Sequence, residues 1–83
     1  MKHLSFLLLV FIFLSSPAGA GDIREAEKLT QQMIQLYQQG KYAEAARIGE
    51  RVLMIRKKIH GDDHYETAPS YNNLGLIYKS MGD

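Results

Sequence analysis

The sequence predicts an all-α protein of antiparallel helix-turn-helix repeats, an α-solenoid of about one and a half repeats, preceded by a targeting segment. Three observations carry this reading. Beyond residue 20, apolar residues recur at steps of three and four in three successive stretches. Glycine punctuates each stretch, and the first and third stretches match in phase at an offset of 42 residues. No segment of useful length alternates apolar with polar residues, so no sheet is expected.

The chain has 83 residues, 46% of them hydrophobic, with no Cys, no Trp, and ten Lys+Arg against nine Asp+Glu. That is room for one small domain, in a size range where a single core is marginal. Lack of cysteine excludes disulfides, a thiol nucleophile, a thiolate zinc site and a lipidated cysteine. A formal charge of +1 argues against nucleic-acid binding through a strong positive field.

Eleven residues, Leu4 to Leu14, form one apolar run in which Ser5 is the only polar residue. Lys2 precedes the run, and Ser15-Ser16-Pro17-Ala18-Gly19-Ala20 follows it, the layout of a secretory signal. Ala18 and Ala20 occupy the small-residue positions, so cleavage is expected after Ala20. A membrane anchor needs about 20 apolar residues to cross the hydrocarbon core, and this run is too short. Residues 1–20 are therefore read as a signal peptide and residues 21–83 as the helical region, secreted or periplasmic once cleaved. Membrane association is expected only if the segment is retained. Among charged residues, residues 1–20 contain Lys2 alone, leaving nine cations against nine acids and no net field to steer a partner.

The first helix is expected over residues 22–39. Its stripe is Ile23, Ala26, Leu29, Met33, Ile34 and Tyr37, with Asp22 as N-cap, Glu25 completing an approximate capping box, and Gly40 closing it. The second helix is expected over 42–60, with the stripe Tyr42, Ala45, Ala46, Gly49, Val52, Leu53 and Ile59. A mid-helix glycine such as Gly49 costs about 1 kcal/mol against alanine, which a close helix approach would explain. Gly61-Asp62-Asp63 breaks this helix. The third is expected over 66–81, with the stripe Ala68, Tyr71, Leu74, Gly75, Tyr78 and Met81. Pro69 is tolerated only in its first turn, which makes Thr67 or a neighbour the cap. Gly82 closes it as Gly40 closes the first.

At the offset of 42, Ala26 falls on Ala68, Leu29 on Tyr71, Met33 on Gly75 and Leu36 on Tyr78. Tyr71-x-x-Leu74-Gly75-x-x-Tyr78-x-x-x-Gly82 resembles the first helix of a tetratricopeptide repeat. Gly40-Lys41-Tyr42-x-x-Ala45 resembles that repeat's tight turn and the start of its second helix. Arg51 to Lys58, then Gly61-Asp62-Asp63-His64 and Ser70-Tyr71-Asn72-Asn73-Leu74, are similar to the 42-residue variant found in kinesin light chain. The resemblance spans about residues 25 to 83. Departures include Tyr65 where proline is usual, Gly49 in place of a bulky residue, Val52 in place of alanine, and Gln32 in place of leucine. The first repeat thus looks like a terminal, capping one.

The resemblance implies structural roles for Gly40, Tyr42, Ala45, Tyr71, Leu74, Gly75, Tyr78 and Gly82. Gly75 and Ala45 would be small where paired helices approach. Tyr71 and Tyr78 would fill the gap toward a neighbouring repeat, and Gly40 and Gly82 would supply positive φ. It also implies a concave face that receives a protein or peptide partner. Thr30, Ile34 and Tyr37 of the first helix, and Asn72, Asn73, Leu76 and Lys79 of the third, would line that face. The two asparagine amides suit hydrogen bonding to a peptide backbone.

Other chemistry weighs little. His60, Asp62, Asp63 and His64 are metal-ligating types, but they sit in a glycine-containing turn without a preformed frame, so no metal site is expected. Asp62 and Asp63 are instead read as favouring the N-terminus of the following helix. Arg56-Lys57-Lys58, with Lys41, Arg47 and Arg51, is read as a solvated face balanced by Glu44 and Glu50. No nucleophile has an arranged base, so no catalytic residue and no cofactor are expected. The expectation is an exported, non-catalytic interaction scaffold. Two alternatives remain at this level: the repeat segment of a longer protein whose catalytic domain lies beyond residue 83, and a membrane-anchored assembly factor. With only one and a half repeats, the third helix would be partly uncovered. A longer array or a homo-oligomer would complete the stack.

Overall fold

The computed structural model describes residues 19–82. The apolar run at 4–14, the flanking Ala18 and the cleavage position expected beside it fall outside, or at the margin of, the described residues. Three helices follow one another: α1 (Gly19–Gln38), α2 (Tyr42–His60) and α3 (Ala68–Ser80). There is no strand among the described residues. The class is all-α, as the periodicity predicts, with α1 and α2 packed along their lengths and α3 packed on α2.

The expected start of α1 needs correction. The helix begins at Gly19, so Asp22 lies inside its first turn rather than capping it. An acidic side chain there still suits the positive end of the helix dipole. Asp22 is also drawn toward α2, with Oδ2 3.6 Å from Lys58 Nζ. That oxygen is shielded from water and has no hydrogen bond among the described residues, so the long ion pair and the helix dipole are what offset its burial. At the other end, Gly40 takes φ 77°. The Gly40 N–H donates to Tyr37 O (3.0 Å) and the Lys41 N–H to Leu36 O (2.9 Å). These are the two bonds of a Schellman turn, which satisfy otherwise orphaned carbonyls and reverse the chain.

α2 spans the expected residues. Ala45, Ala46, Gly49 and Val52 form its buried face. The mid-helix glycine is explained by contact: a Cβ at Gly49 would lie 3.1 Å from both Leu74 Cδ2 and Met33 Sδ. All three helices therefore meet at this one position. Above it sits a core of Met33, Ala45, Ala46 and Ile77, flanked by Leu36, Tyr42, Ile48 and Tyr78. Three cations of α2, Arg51, Lys57 and Lys58, are paired, but not with Glu44 and Glu50 as expected. Arg51 reaches Glu25 (2.8 Å) and Lys57 reaches Asp62 (3.3 Å). Antiparallel packing places the acids of α1 and of the following turn nearer to these cations than the acids of their own helix. Such exposed pairs are screened by solvent and add little to stability.

The α2–α3 turn is held by side chains. Gly61 takes φ 90° and closes α2, its N–H donating to Lys57 O at 2.8 Å. Thr67, fully buried, donates from Oγ1 to Gly61 O (2.7 Å) and ties the start of α3 to the end of α2. Removing that hydroxyl deletes the bond, while the exposed Gly61 carbonyl can turn to water. Thr67→Val is thus expected to lower stability by about 0.5–1.5 kcal/mol, read as a lower urea midpoint with an unchanged slope. Asp62 does not serve the α3 N-terminus as expected, because it accepts from the Tyr71 hydroxyl (3.1 Å) and pairs with Lys57.

α3 begins at Ala68 rather than 66, with Thr67 at the cap position and Pro69 in the first turn. Its buried face is Ser70, Leu74 and Ile77. This corrects the expected stripe of Ala68, Tyr71, Leu74, Gly75, Tyr78 and Met81: only Leu74 is fully buried and Tyr78 half-buried, while Tyr71 is 46% exposed. The helix is rotated so that Ile77 points inward. Gly75 likewise does not mark a close approach, since nothing lies within 4 Å of a Cβ placed there. Gly82 has φ 92°, as its turn role requires.

Tyr78 donates its hydroxyl to the Glu50 carboxylate. That hydrogen bond, with smaller contributions from desolvation and the carboxylate charge, raises its phenol above the usual tyrosine value of 10.0. A raised pKa means the fold prefers the neutral phenol. Its stabilising contribution is complete below the unfolded value and is lost as pH rises through the folded one. A tyrosinate absorbance titration is expected to show one ring ionising late, and Glu50→Gln to return it toward the ordinary range.

Candidate functional site

α1 and α3 both pack on α2 and leave a groove lined by residues of each. The periodicity of each helix explains the lining. Met33 and Ile77 point into the core and form the floor, both almost fully buried. Ile34 and Leu76 are their chain neighbours and turn outward, 39% and 56% exposed, as the two walls. Tyr37, three residues beyond Ile34, closes one end. Its hydroxyl shares a hydrogen bond with Ser80 Oγ (3.0 Å), and its ring meets that of Tyr42 at 5.3 Å and 55°. Gln38 and Asn73 complete the lining.

The groove holds about 230 Å³. Sites for whole small ligands run to about 300–1,000 Å³, so this one suits one or two apolar side chains. No carboxylate, imidazole or lysine is among its lining residues. What it offers is burial of apolar surface.

The residues expected to face a partner divide. Ile34, Tyr37, Asn73 and Leu76 come together in the groove, while Thr30, Asn72 and Lys79 do not line it. The Thr30 hydroxyl donates to Ala26 O of its own helix (2.7 Å). Asn72 and Lys79 are exposed elsewhere on α3. Met33, Gln38 and Ile77 are additions. Ile77 was legible in principle, since it lies three residues from Leu74 and seven from Ser70.

The His–Asp turn shows no convergence on a point. His60 and His64 stack at 4.8 Å with 21° between planes, and Tyr65 stacks on His64 at 4.5 Å. His64 Nδ1 is occupied as acceptor for the Glu66 N–H (3.0 Å). Among the described residues, no three His, Cys, Asp or Glu side chains are grouped as a metal set. No described helix is long and apolar enough to cross a membrane.

A solenoid-type helical hairpin, a third helix packed on it and a groove between first helices define a repeat protein built for contact. The tetratricopeptide repeat family model matches residues 34–83, from the groove wall of α1 through α2 and α3. The chain belongs to this family, whose repeats generally mediate protein–protein interaction. No curated protein and no solved structure matches it.

Proposed function

We propose that the chain is an exported, non-catalytic interaction module that holds an extended peptide or a partner's helix in the α1–α3 groove. The observation that carries this is the groove itself, with an apolar floor and walls and a volume sized for side chains. Partner side chains would enter between Ile34 and Leu76, while Gln38 and Asn73 bond to main-chain groups. The repeat is further inferred to be the 42-residue, kinesin-light-chain-like variant. Gly40 and Gly82, 42 residues apart, both take positive φ at helix ends. Export rests on the apolar run, the small residues that follow it and the charge before it.

Leu76→Lys tests the groove. Leu76 is mostly exposed, so the substitution leaves the fold intact and places a cation in the apolar wall. Peptides selected from a random display library on the full chain are expected to bind the variant at least tenfold more weakly, about 1.4 kcal/mol. Equal binding would remove the groove from the mechanism. Intact-mass measurement of the product from its own cells tests export: a chain beginning at Gly21 supports it, and one retaining residues 1–20 overturns it.

A further inference from the structure

We propose that a second copy of this chain docks on α3, on the side away from the groove, by a two-fold contact that leaves both grooves open. Tyr71, Gly75 and Tyr78 follow at four- and three-residue spacing and share that side. The groove residues of α3, Asn73 and Leu76, lie on the other. Tyr71 is 46% exposed and Tyr78 half-buried. Both spend their hydroxyls within the chain, Tyr71 on Asp62 and Tyr78 on Glu50, so what they turn outward is ring. Between the rings, a Cβ on Gly75 would meet nothing within 4 Å, which leaves room for another helix to come close. On α2, Met54 is 71% exposed. It stands four residues after Glu50, which holds Tyr78, and three before Lys57, which pairs with the Asp62 that holds Tyr71. Met54 therefore borders the rings, and one apolar patch runs over two helices.

Charge and symmetry favour a copy of the chain over an unlike partner. The charges around the patch are mixed, Glu50 and Asp62 alternating with Arg47, Lys57 and Lys79. Lys79 lies four residues beyond Gly75 and Tyr71 four residues before it. An antiparallel crossing of two α3 helices at Gly75 therefore sets Lys79 of one copy over the Tyr71 ring of the other, beside the carboxylate of Asp62. A cation on a ring is favourable, and a two-fold axis makes the contact twice. Without Lys2, residues 21–83 carry nine cations against nine acids, so no net charge holds two copies apart. A patch of this extent falls at the low end of interface areas, below about 1,200 Å² in total, where association is weak and reversible. Two open grooves on one dimer hold a partner with two apolar segments more tightly than either groove alone.

Sedimentation of wild-type and variant chains purified from the protein's own cells tests this. A concentration-dependent equilibrium of monomer and dimer is expected for the wild type. Met54→Glu and Met54→Lys, at a mostly exposed position, are each expected to weaken the dimer by about tenfold through like-charge repulsion across the axis, and to leave peptide capture unchanged. Mixing the two variants is expected to restore dimer severalfold above either alone, a gain that misfolding cannot produce. Gly75→Ala is expected to weaken the dimer while helping the helix of the dilute monomer, because its methyl group takes the space the second helix needs. Leu76→Lys is expected to lose peptide and keep the dimer, which separates this surface from the groove. A monomer at every concentration, or dimers indifferent to both Met54 substitutions, would overturn the proposal and leave the groove standing. A monomer heavier than the 83-residue chain would overturn it too, by assigning the patch to a following segment of the same chain.

Discussion

Gly49→Leu is expected to cost about 3 kcal/mol, the largest effect of a single substitution at a site without a side chain. At Gly49 even a Cβ would press to 3.1 Å on Leu74 and Met33, and a branched side chain must displace one helix of three. The control is another mid-helix glycine in the same chain. Gly75 has open space around it, so Gly75→Ala is expected to stabilise by about 1 kcal/mol through helix propensity alone. Urea unfolding of the two variants should move in opposite directions. If Gly49→Leu were neutral, the three-helix contact would be wrong. If Gly75→Ala were destabilising, that face would be covered in solution.

Ile77→Ala is expected to destabilise by about 3 kcal/mol. The side chain is 2% exposed and joins Met33, Ala45 and Ala46 in the core. For a core this small the loss is a large share of the whole stability, since domains below about 80 residues have little in reserve. The neighbouring Leu76, 56% exposed, gives the contrast. Leu76→Ala should leave stability within about 0.5 kcal/mol while weakening peptide capture. Thermal unfolding followed by helical circular dichroism, alongside peptide binding, separates the two roles. Equal destabilisation by both substitutions would mean that α3 is rotated from the position described.

Much of this was legible in the residues because it is local. Helix class follows from apolar spacing, and helix ends follow from glycine: Gly40, Gly61 and Gly82 all take positive φ, a conformation that side-chain-bearing residues resist. The bounds of α2 could be read to the residue because a glycine stands beyond each end. α1 and α3 lacked such a signal at their N-termini, and those starts were displaced by two or three residues.

Rotation about a helix axis is not local. In α3, Tyr71, Gly75 and Tyr78 make as good a stripe as Ser70, Leu74 and Ile77, and composition favoured the first. What settled it was Gly49, whose missing side chain admits Leu74 and so turns Ile77 inward and Leu76 outward. Ion pairing was equally hidden, because Arg51, Lys57 and Lys58 chose carboxylates from other segments over those of their own helix. Periodicity could name the elements and their ends, since both depend on neighbours within a turn or two. The groove and the ion pairs depend on which faces meet across the bundle, and packing in three dimensions decides that.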